Sequence, residues 1–117
     1  RNEMPVEEAI ANQKDALLRK PDDPIIAFRL LFLQRKTIPY ESACTYVAQS
    51  SHWLVAYSVA LVAARDSFTR LALGHLHPIQ RKPNKVNQLV RELENGSEID
   101  LEAFWNFGGQ VLSQYDH

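Results

Sequence analysis

The feature that most constrains the fold is an apolar run in the middle of the chain, within SSHWLVAYSVALVAARDSFTRLALGHLHP, residues 50–78. About a dozen residues, 53–64, carry no charge. A helix that crosses a membrane needs roughly 20 predominantly apolar residues. The run therefore predicts no membrane span but a long central helix, from about residue 51 to residue 74, surrounded by other helices.

The second half of this predicted helix becomes polar. Asp66 and Arg70 are four residues apart in the acidic-then-basic order, so we expect them to pair on an exposed face. Ser50 or Ser51 is expected to cap the start of the helix, and Gly74 is expected to mark its end.

The flanking segments also show helical spacing and helix boundary signals. Asp23 followed by Pro24 predicts a capped helix start, and Asn95 followed by Gly96 predicts a helix end. No sustained alternation of apolar and polar residues indicates a strand. The chain is expected to form one all-α domain over residues 1–117, a compact bundle of five to six helices at 5–20, 24–35, 39–48, 51–74, 85–94 and 101–114.

Two adjacent glycines, Gly108 and Gly109, fall inside the last predicted helix. Together they cost roughly 2 kcal/mol relative to alanines in a helix. Their presence predicts either a kink or a close approach of two backbones at this point.

The composition excludes several classes of protein. The formal net charge is -1, so no global field attracts nucleic acid or an anionic membrane. Cys44 is the only cysteine and cannot form an internal disulfide, which favours an intracellular, cytoplasmic location. The chain opens at Arg1 without an initiator methionine or a signal segment, which is typical of a processed product or a piece of a longer protein.

Surplus apolar surface on the predicted helices favours binding to another protein or to a second copy of the chain. Phe104, Trp105 and Phe107 lie so close in sequence that one helix is not expected to point all three inward. Trp105, Phe107 and Tyr115 are therefore the predicted partner-binding anchors, since aromatic residues dominate binding hot spots. The predicted function is a non-enzymatic helical interaction or assembly module.

A nucleic-acid function is the alternative. Arg70 is followed five residues later by His75, a pattern similar to the Arg-x4-6-His signature of HEPN nucleases. The resemblance implies a helical ribonuclease in which Arg70 holds phosphate and His75 moves a proton. A local basic cluster could contact phosphates, although acidic residues follow it and no aromatic residues interleave with it. Its members are Arg81, Lys82, Lys85 and Arg91.

Cofactor and metal sites are not expected. His75 and His77 offer two imidazoles, but a metal ion needs further ligands that the neighbouring sequence lacks. A small-ligand sensor with a pocket between helices is a third class that bundles allow, although no particular residue indicates it.

Overall fold

The computed structural model describes residues 5–115, in which the regular elements are all helices and no strand is present. The predicted all-α class is confirmed. Seven helices are present in the described residues, one or two more than predicted: α1 (Val6–Arg19), α2 (Pro24–Gln34), α3 (Tyr40–Gln49), α4 (Trp53–Arg65), α5 (Thr69–Leu76), α6 (Asn84–Glu94) and α7 (Leu101–Tyr115).

Helix α4 lies at the centre because it is apolar on every side. Nine of its thirteen residues are buried, and it packs against α2, α3, α5 and α7. Two of its buried hydroxyls find acceptors: Ser58 donates to the carbonyl of Leu54 at 2.8 Å, and Tyr57 donates to the carbonyl of Phe104 at 2.6 Å. The second bond ties α4 to α7 inside the core.

The expectation of one helix over residues 51–74 is wrong, because the chain breaks between α4 and α5. Ser67 has a φ of 62°, in the left-handed region. Its backbone N–H donates to the carbonyl of Ala64 at 3.0 Å, and that of Phe68 donates to Ala63 at 2.9 Å. These two bonds form a Schellman motif, which satisfies the last carbonyls of α4 and turns the chain back along it.

The same motif ends α6 at the predicted position. Gly96 has a φ of 68°, and its N–H donates to the carbonyl of Leu93 at 3.3 Å. The N–H of Ser97 donates to Glu92 at 3.0 Å. A glycine marks this end in the sequence, whereas a serine occupies the equivalent position after α4.

The predicted end of a helix at Gly74 is also wrong. Helix α5 continues through Gly74 to Leu76. An added Cβ at Gly74 would meet no atom within 4 Å, so its surroundings do not require a glycine.

Helix starts follow the sequence in one case and depart from it in another. The Asp23 carboxylate accepts from the N–H of Ile25 at 2.9 Å, as predicted. At α4 the cap is His52, whose Nδ1 accepts from the N–H of Leu54 at 3.1 Å, and not a serine. Ser50 instead accepts from the N–H of His52 at 3.3 Å.

The expected pair of Asp66 and Arg70 is replaced by a different ion pair, because the helix breaks between them. Asp66 accepts two hydrogen bonds from Arg65, at 2.9 and 2.8 Å. Arg65 also donates to the carbonyls of Arg35 at 3.0 Å and Ile38 at 2.7 Å. The end of α4 is thereby joined to the loop between α2 and α3.

Gly108 allows α7 to pass close to the ring of Phe28 on α2. A Cβ added at Gly108 would lie 2.5 Å from one ring atom of Phe28, whereas one at Gly109 would meet nothing within 4 Å. The predicted close approach therefore occurs at the first glycine, and its partner is an aromatic side chain rather than a second backbone.

The peripheral helices α1 and α6 complete the bundle. Helix α6 packs against α5 and α7, whereas α1 packs mainly on α2 and contains no fully buried residue. Within residues 5–115, no helix combines the length and apolar character that crossing a membrane requires.

Replacing Ser67 by glycine should stabilise the protein. A non-glycine residue in the left-handed region costs about 1 kcal/mol or more, so Ser67→Gly should raise the free energy of unfolding by about 1 kcal/mol. Gly96→Ser, the reverse change in the same motif, should lower it by a similar amount. Urea unfolding followed by circular dichroism measures both, and a Ser67→Gly protein no more stable than wild type would contradict the role given to this residue.

The two glycines of α7 should respond oppositely to alanine. Gly108→Ala should destabilise the protein, because overpacking against the buried Phe28 costs about 1–3 kcal/mol. Gly109→Ala should stabilise it by up to about 1 kcal/mol, the helix-propensity gain of alanine over glycine. Thermal unfolding of the two variants beside wild type checks the prediction, which fails if both shift in the same direction.

Candidate functional site

An apolar surface lies where α5 passes α3, and we call it the α3–α5 face. Its members are Tyr40 and Cys44 of α3, the connecting residue Phe68, and Leu71 and His75 of α5. Phe68 is 44% exposed and Leu71 is 48% exposed, so two large apolar side chains close in sequence both reach the surface.

Tyr40 holds this surface together. Its hydroxyl lies 2.7 Å from Nε2 of His75, and its ring meets the ring of Phe68 edge-on with centroids 5.8 Å apart. Phe68, Leu71 and His75 follow one another at intervals of three and four residues, so they share one side of α5. Tyr40 contacts the first and the last of these three residues.

Burial keeps both polar groups of this contact neutral near pH 7. It lowers the pKa of His75 below its usual range. It raises the pKa of Tyr40 to about 12, and a side-chain hydrogen bond with Cys44 and the charge of that sulfur add to the effect. The neutral imidazole can accept from the Tyr40 hydroxyl, or donate to it in its other tautomer.

The two residues of the predicted catalytic pair differ in exposure and in position around α5. Arg70 is exposed near the start of α5, and His75 is half-buried against α3. Five residues of helix separate them by about 140° around the axis. Nε2 of His75 lies 2.7 Å from the Tyr40 hydroxyl, so this nitrogen is already engaged.

Cys44 has no direct base in this arrangement. Activation of a thiol as a nucleophile needs an imidazole or another cationic group beside it. Nε2 of His75 is hydrogen-bonded to Tyr40, and among the described residues no hydrogen bond joins His75 to Cys44. The contacts fit a structural cluster rather than a Cys–His nucleophile.

The predicted basic cluster is partly used within the chain. Lys82 donates to the carbonyls of His77 at 3.0 Å and Ile79 at 2.8 Å, just after α5. Nζ of Lys85 lies 4.8 Å from the ring centroid of Phe104, a cation–π contact. Arg81 and Arg91 are exposed.

The predicted aromatic anchors lie mostly inside the bundle. Trp105 is 2% exposed and packs against Phe28 at a centroid distance of 5.9 Å. Phe107 is half-buried, and its ring lies 6.0 Å from that of Tyr57. Trp105 is therefore inaccessible to a partner in this structure, and Tyr115 ends α7 with a side chain outside the described residues.

The expectation that three aromatic side chains could not all turn inward is wrong. Phe104, Trp105 and Phe107 span about 160° around α7. Trp105 turns toward α2, Phe107 contacts α4, and Phe104 lies under Lys85 of α6. A helix packed between several others accommodates this arc.

The two neighbouring histidines are separated by their contacts. His75 faces Tyr40, whereas Nε2 of His77 lies 3.6 Å from a carboxylate oxygen of Glu94. In the part of the chain that the structure describes, no group of three or more histidine, cysteine, aspartate or glutamate side chains could hold a metal ion.

Of the residues of the α3–α5 face, the sequence predicts His75 as a site residue. It does not predict Tyr40, Phe68 or Leu71. Phe68 and Leu71 fall within a segment that was expected to form one helix, and Tyr40 lies on a different helix. The spacing of Phe68, Leu71 and His75 at i, i+3 and i+7 was available in the sequence. That signal marks a helix stripe, although it does not show that the stripe stays exposed.

No match to this chain was found among protein-family models, curated proteins or solved structures.

Acid should destabilise the protein through His75. Because the pKa of its imidazole is lowered by folding, the unfolded chain binds more protons as pH falls below about 6.5, so stability decreases from that point through the folded pKa. His75→Gln should reduce this loss between pH 7.5 and 5.5. Part of the loss should remain in this variant, because burial also lowers the pKa of His52.

Urea unfolding at the two pH values measures this change, with His77→Gln as a control at an exposed position. Glu102 and Asp66, whose pKa values are lowered chiefly by hydrogen bonds from Arg35 and Arg65, lose their contribution only at lower pH. If the His75→Gln variant loses as much stability between pH 7.5 and 5.5 as wild type does, the assignment of this loss to His75 is wrong.

Proposed function

We propose that this chain is a non-enzymatic helical interaction module that associates with a second copy of itself through the α3–α5 face. The observation that carries the proposal is the adjacent exposure of Phe68 and Leu71, 44% and 48%. Contiguous apolar surface bordered by polar residues is typical of protein interaction sites.

The contacts around Phe68 favour a preorganised surface. Its ring is held edge-on against Tyr40, and Tyr40 is held by His75. An exposed aromatic side chain that is already fixed loses less conformational entropy when a partner covers it. The Schellman turn after α4 fixes the backbone at the same point.

The charges beside this surface favour a second copy as the partner. Glu41 of α3 and Arg70 of α5 are both exposed. Glu41 directly follows Tyr40 in the sequence, and Arg70 directly precedes Leu71. Within residues 5–115 neither of them forms an ion pair with another residue of the chain. A two-fold interface is self-complementary, so Glu41 of each copy could face Arg70 of the other.

The alternatives have less support. Trp105 is buried, and Lys82 and Lys85 are engaged in contacts within the chain. No feature of the described residues favours nucleic acid over protein as the partner of Arg70.

Loss of the apolar pair should abolish self-association. Wild-type protein should shift from the 13.4 kDa chain mass toward twice that mass as its concentration rises. Phe68→Ser/Leu71→Ser should remain monomeric, because the apolar area that drives association is removed. Light scattering over a concentration series measures both, and Val6→Ser, at a 55% exposed position on α1, is the matched control.

A charge exchange tests the two-fold arrangement separately. Arg70→Glu should weaken association by placing two acidic groups opposite each other, and Glu41→Arg/Arg70→Glu should restore it. Wild-type protein that is monomeric at every concentration would overturn the proposal. An association that the apolar double variant leaves unchanged would overturn the choice of face.

A further inference from the structure

The α3–α5 face contains one imidazole, that of His75, and histidine is the side chain whose ordinary titration falls between about pH 5 and 8. The His75 ring lies beside that of Tyr40, with centroids 5.8 Å apart, and its Nε2 is hydrogen-bonded to the Tyr40 hydroxyl. Tyr40 also holds the ring of Phe68, one of the two exposed apolar residues of the face. The imidazole therefore lies next to the surface that drives the proposed association.

The neighbours of His75 offer an imidazolium no carboxylate. From α3 the ring faces the Tyr40 hydroxyl, which also forms a side-chain hydrogen bond with Cys44. Toward α6, the carboxylate of Glu94 lies 3.6 Å from Nε2 of His77. Within residues 5–115 no carboxylate forms an ion pair with His75. A proton on this imidazole therefore gains no ionic partner inside one copy of the chain.

On the side of α4, His75 borders an open groove of about 410 Å³. The other residues that line this groove are uncharged and do not titrate: Ser51, Trp53, Ala56, Pro78, Ile79 and Gln80. Because none of the packed elements supplies a negative charge, solvent is what stabilises the imidazolium in a single copy.

Association removes part of that solvent. Phe68, Leu71 and His75 share one side of α5, so a second copy that covers the two apolar residues also covers the imidazole. Two-fold symmetry brings one His75 from each copy into the same interface. Burial and the like charge of the second imidazolium both disfavour the protonated form.

The direction of the effect follows from proton linkage. Burial already lowers the pKa of His75 in a single copy, and association acts in the same direction. As the pH falls through that pKa, separate copies bind more protons than the associated pair, so acid favours the separate copies. At higher pH the imidazole is neutral in both states and association keeps its full strength.

We propose that His75 makes self-association pH-dependent, so that two copies associate near neutral pH and separate in mild acid. This inference rests on the proposed self-association through the α3–α5 face and specifies how that association is regulated. Two histidines titrate in each pair, so association that disfavours each imidazolium about threefold weakens about tenfold over the titration.

The dissociation constant of the wild-type pair as a function of pH tests the proposal. Sedimentation equilibrium at constant ionic strength, from pH 7.5 to pH 5.0 in half-unit steps, should show a dissociation constant that rises about tenfold toward acid. Circular dichroism of the same samples restricts the comparison to pH values at which the protein stays folded.

Two histidine variants assign the effect. His75→Gln replaces the imidazole by an amide that stays neutral, so the ratio of its dissociation constants at pH 5.0 and pH 7.5 should be close to one. His77→Gln is the matched control, because His77 is exposed and lies beside Glu94 rather than on the face, and it should keep the wild-type ratio. The ratio is unaffected by any change in overall affinity.

A measurement on wild-type protein tests His75 even if the glutamine variant fails to associate. The ring-proton NMR signals of His75 are those missing from the spectrum of His75→Gln, and their titration gives the pKa of this residue. That pKa should be lower in concentrated, associated samples than in dilute ones.

The possible failures are distinguishable. Wild-type protein that is monomeric at pH 7.5 overturns the proposed self-association and this inference with it. A wild-type pair whose dissociation constant does not change with pH, or a pKa of His75 that is equal in dilute and associated samples, overturns this inference alone. A His75→Gln pair that keeps the wild-type pH ratio overturns the role given to His75.

Discussion

The burial of most of α4 is the constraint on which the rest of the structure depends. A helix that is apolar all round must be covered on every side, and the neighbouring helices supply that cover. The two buried hydroxyls of α4 both find acceptors, Ser58 at the carbonyl of Leu54 and Tyr57 at the carbonyl of Phe104 on α7. Only a short helix can be enclosed in this way by a chain of 117 residues. The end of α4 at Arg65 is therefore as important to the fold as its apolar composition.

The turn at Ser67 determines how the chain after α4 covers that helix. By reversing the chain after α4, it lets α5 pack back along the same helix and brings His75 to Tyr40. Arg65, next to this turn, donates hydrogen bonds to the carbonyls of Arg35 and Ile38 and so holds the end of α4 in place. The α3–α5 face and the end of α4 thus share one local arrangement, and the exposed position of Phe68 is a direct result of it.

Local signals in the sequence predicted most helix boundaries, but the sequence did not predict the contacts between helices. Asp23 before Pro24 and Gly96 after Asn95 each carry a backbone preference that acts within a few residues. Ser67 adopts the same left-handed conformation as Gly96 without the residue type that announces it, so one helix was expected where two exist. The pairing of Tyr40 with His75 and the burial of Trp105 depend on packing between distant segments. The pattern of apolar residues predicted surplus apolar surface on some helices but not which side chains remain exposed.

The shallow attachment of α1 has a consequence for access to the interior. None of its residues is fully buried, and it packs mainly on α2, so it can separate from the bundle without opening the core around α4. Local openings of this kind need much less free energy than global unfolding. Leu17 and Leu18 belong to this helix and line a surface groove together with Leu30 and Tyr46. Local opening of α1 would widen this groove, so the rate at which a molecule reaches the side of α2 that α1 covers would follow the frequency of that opening.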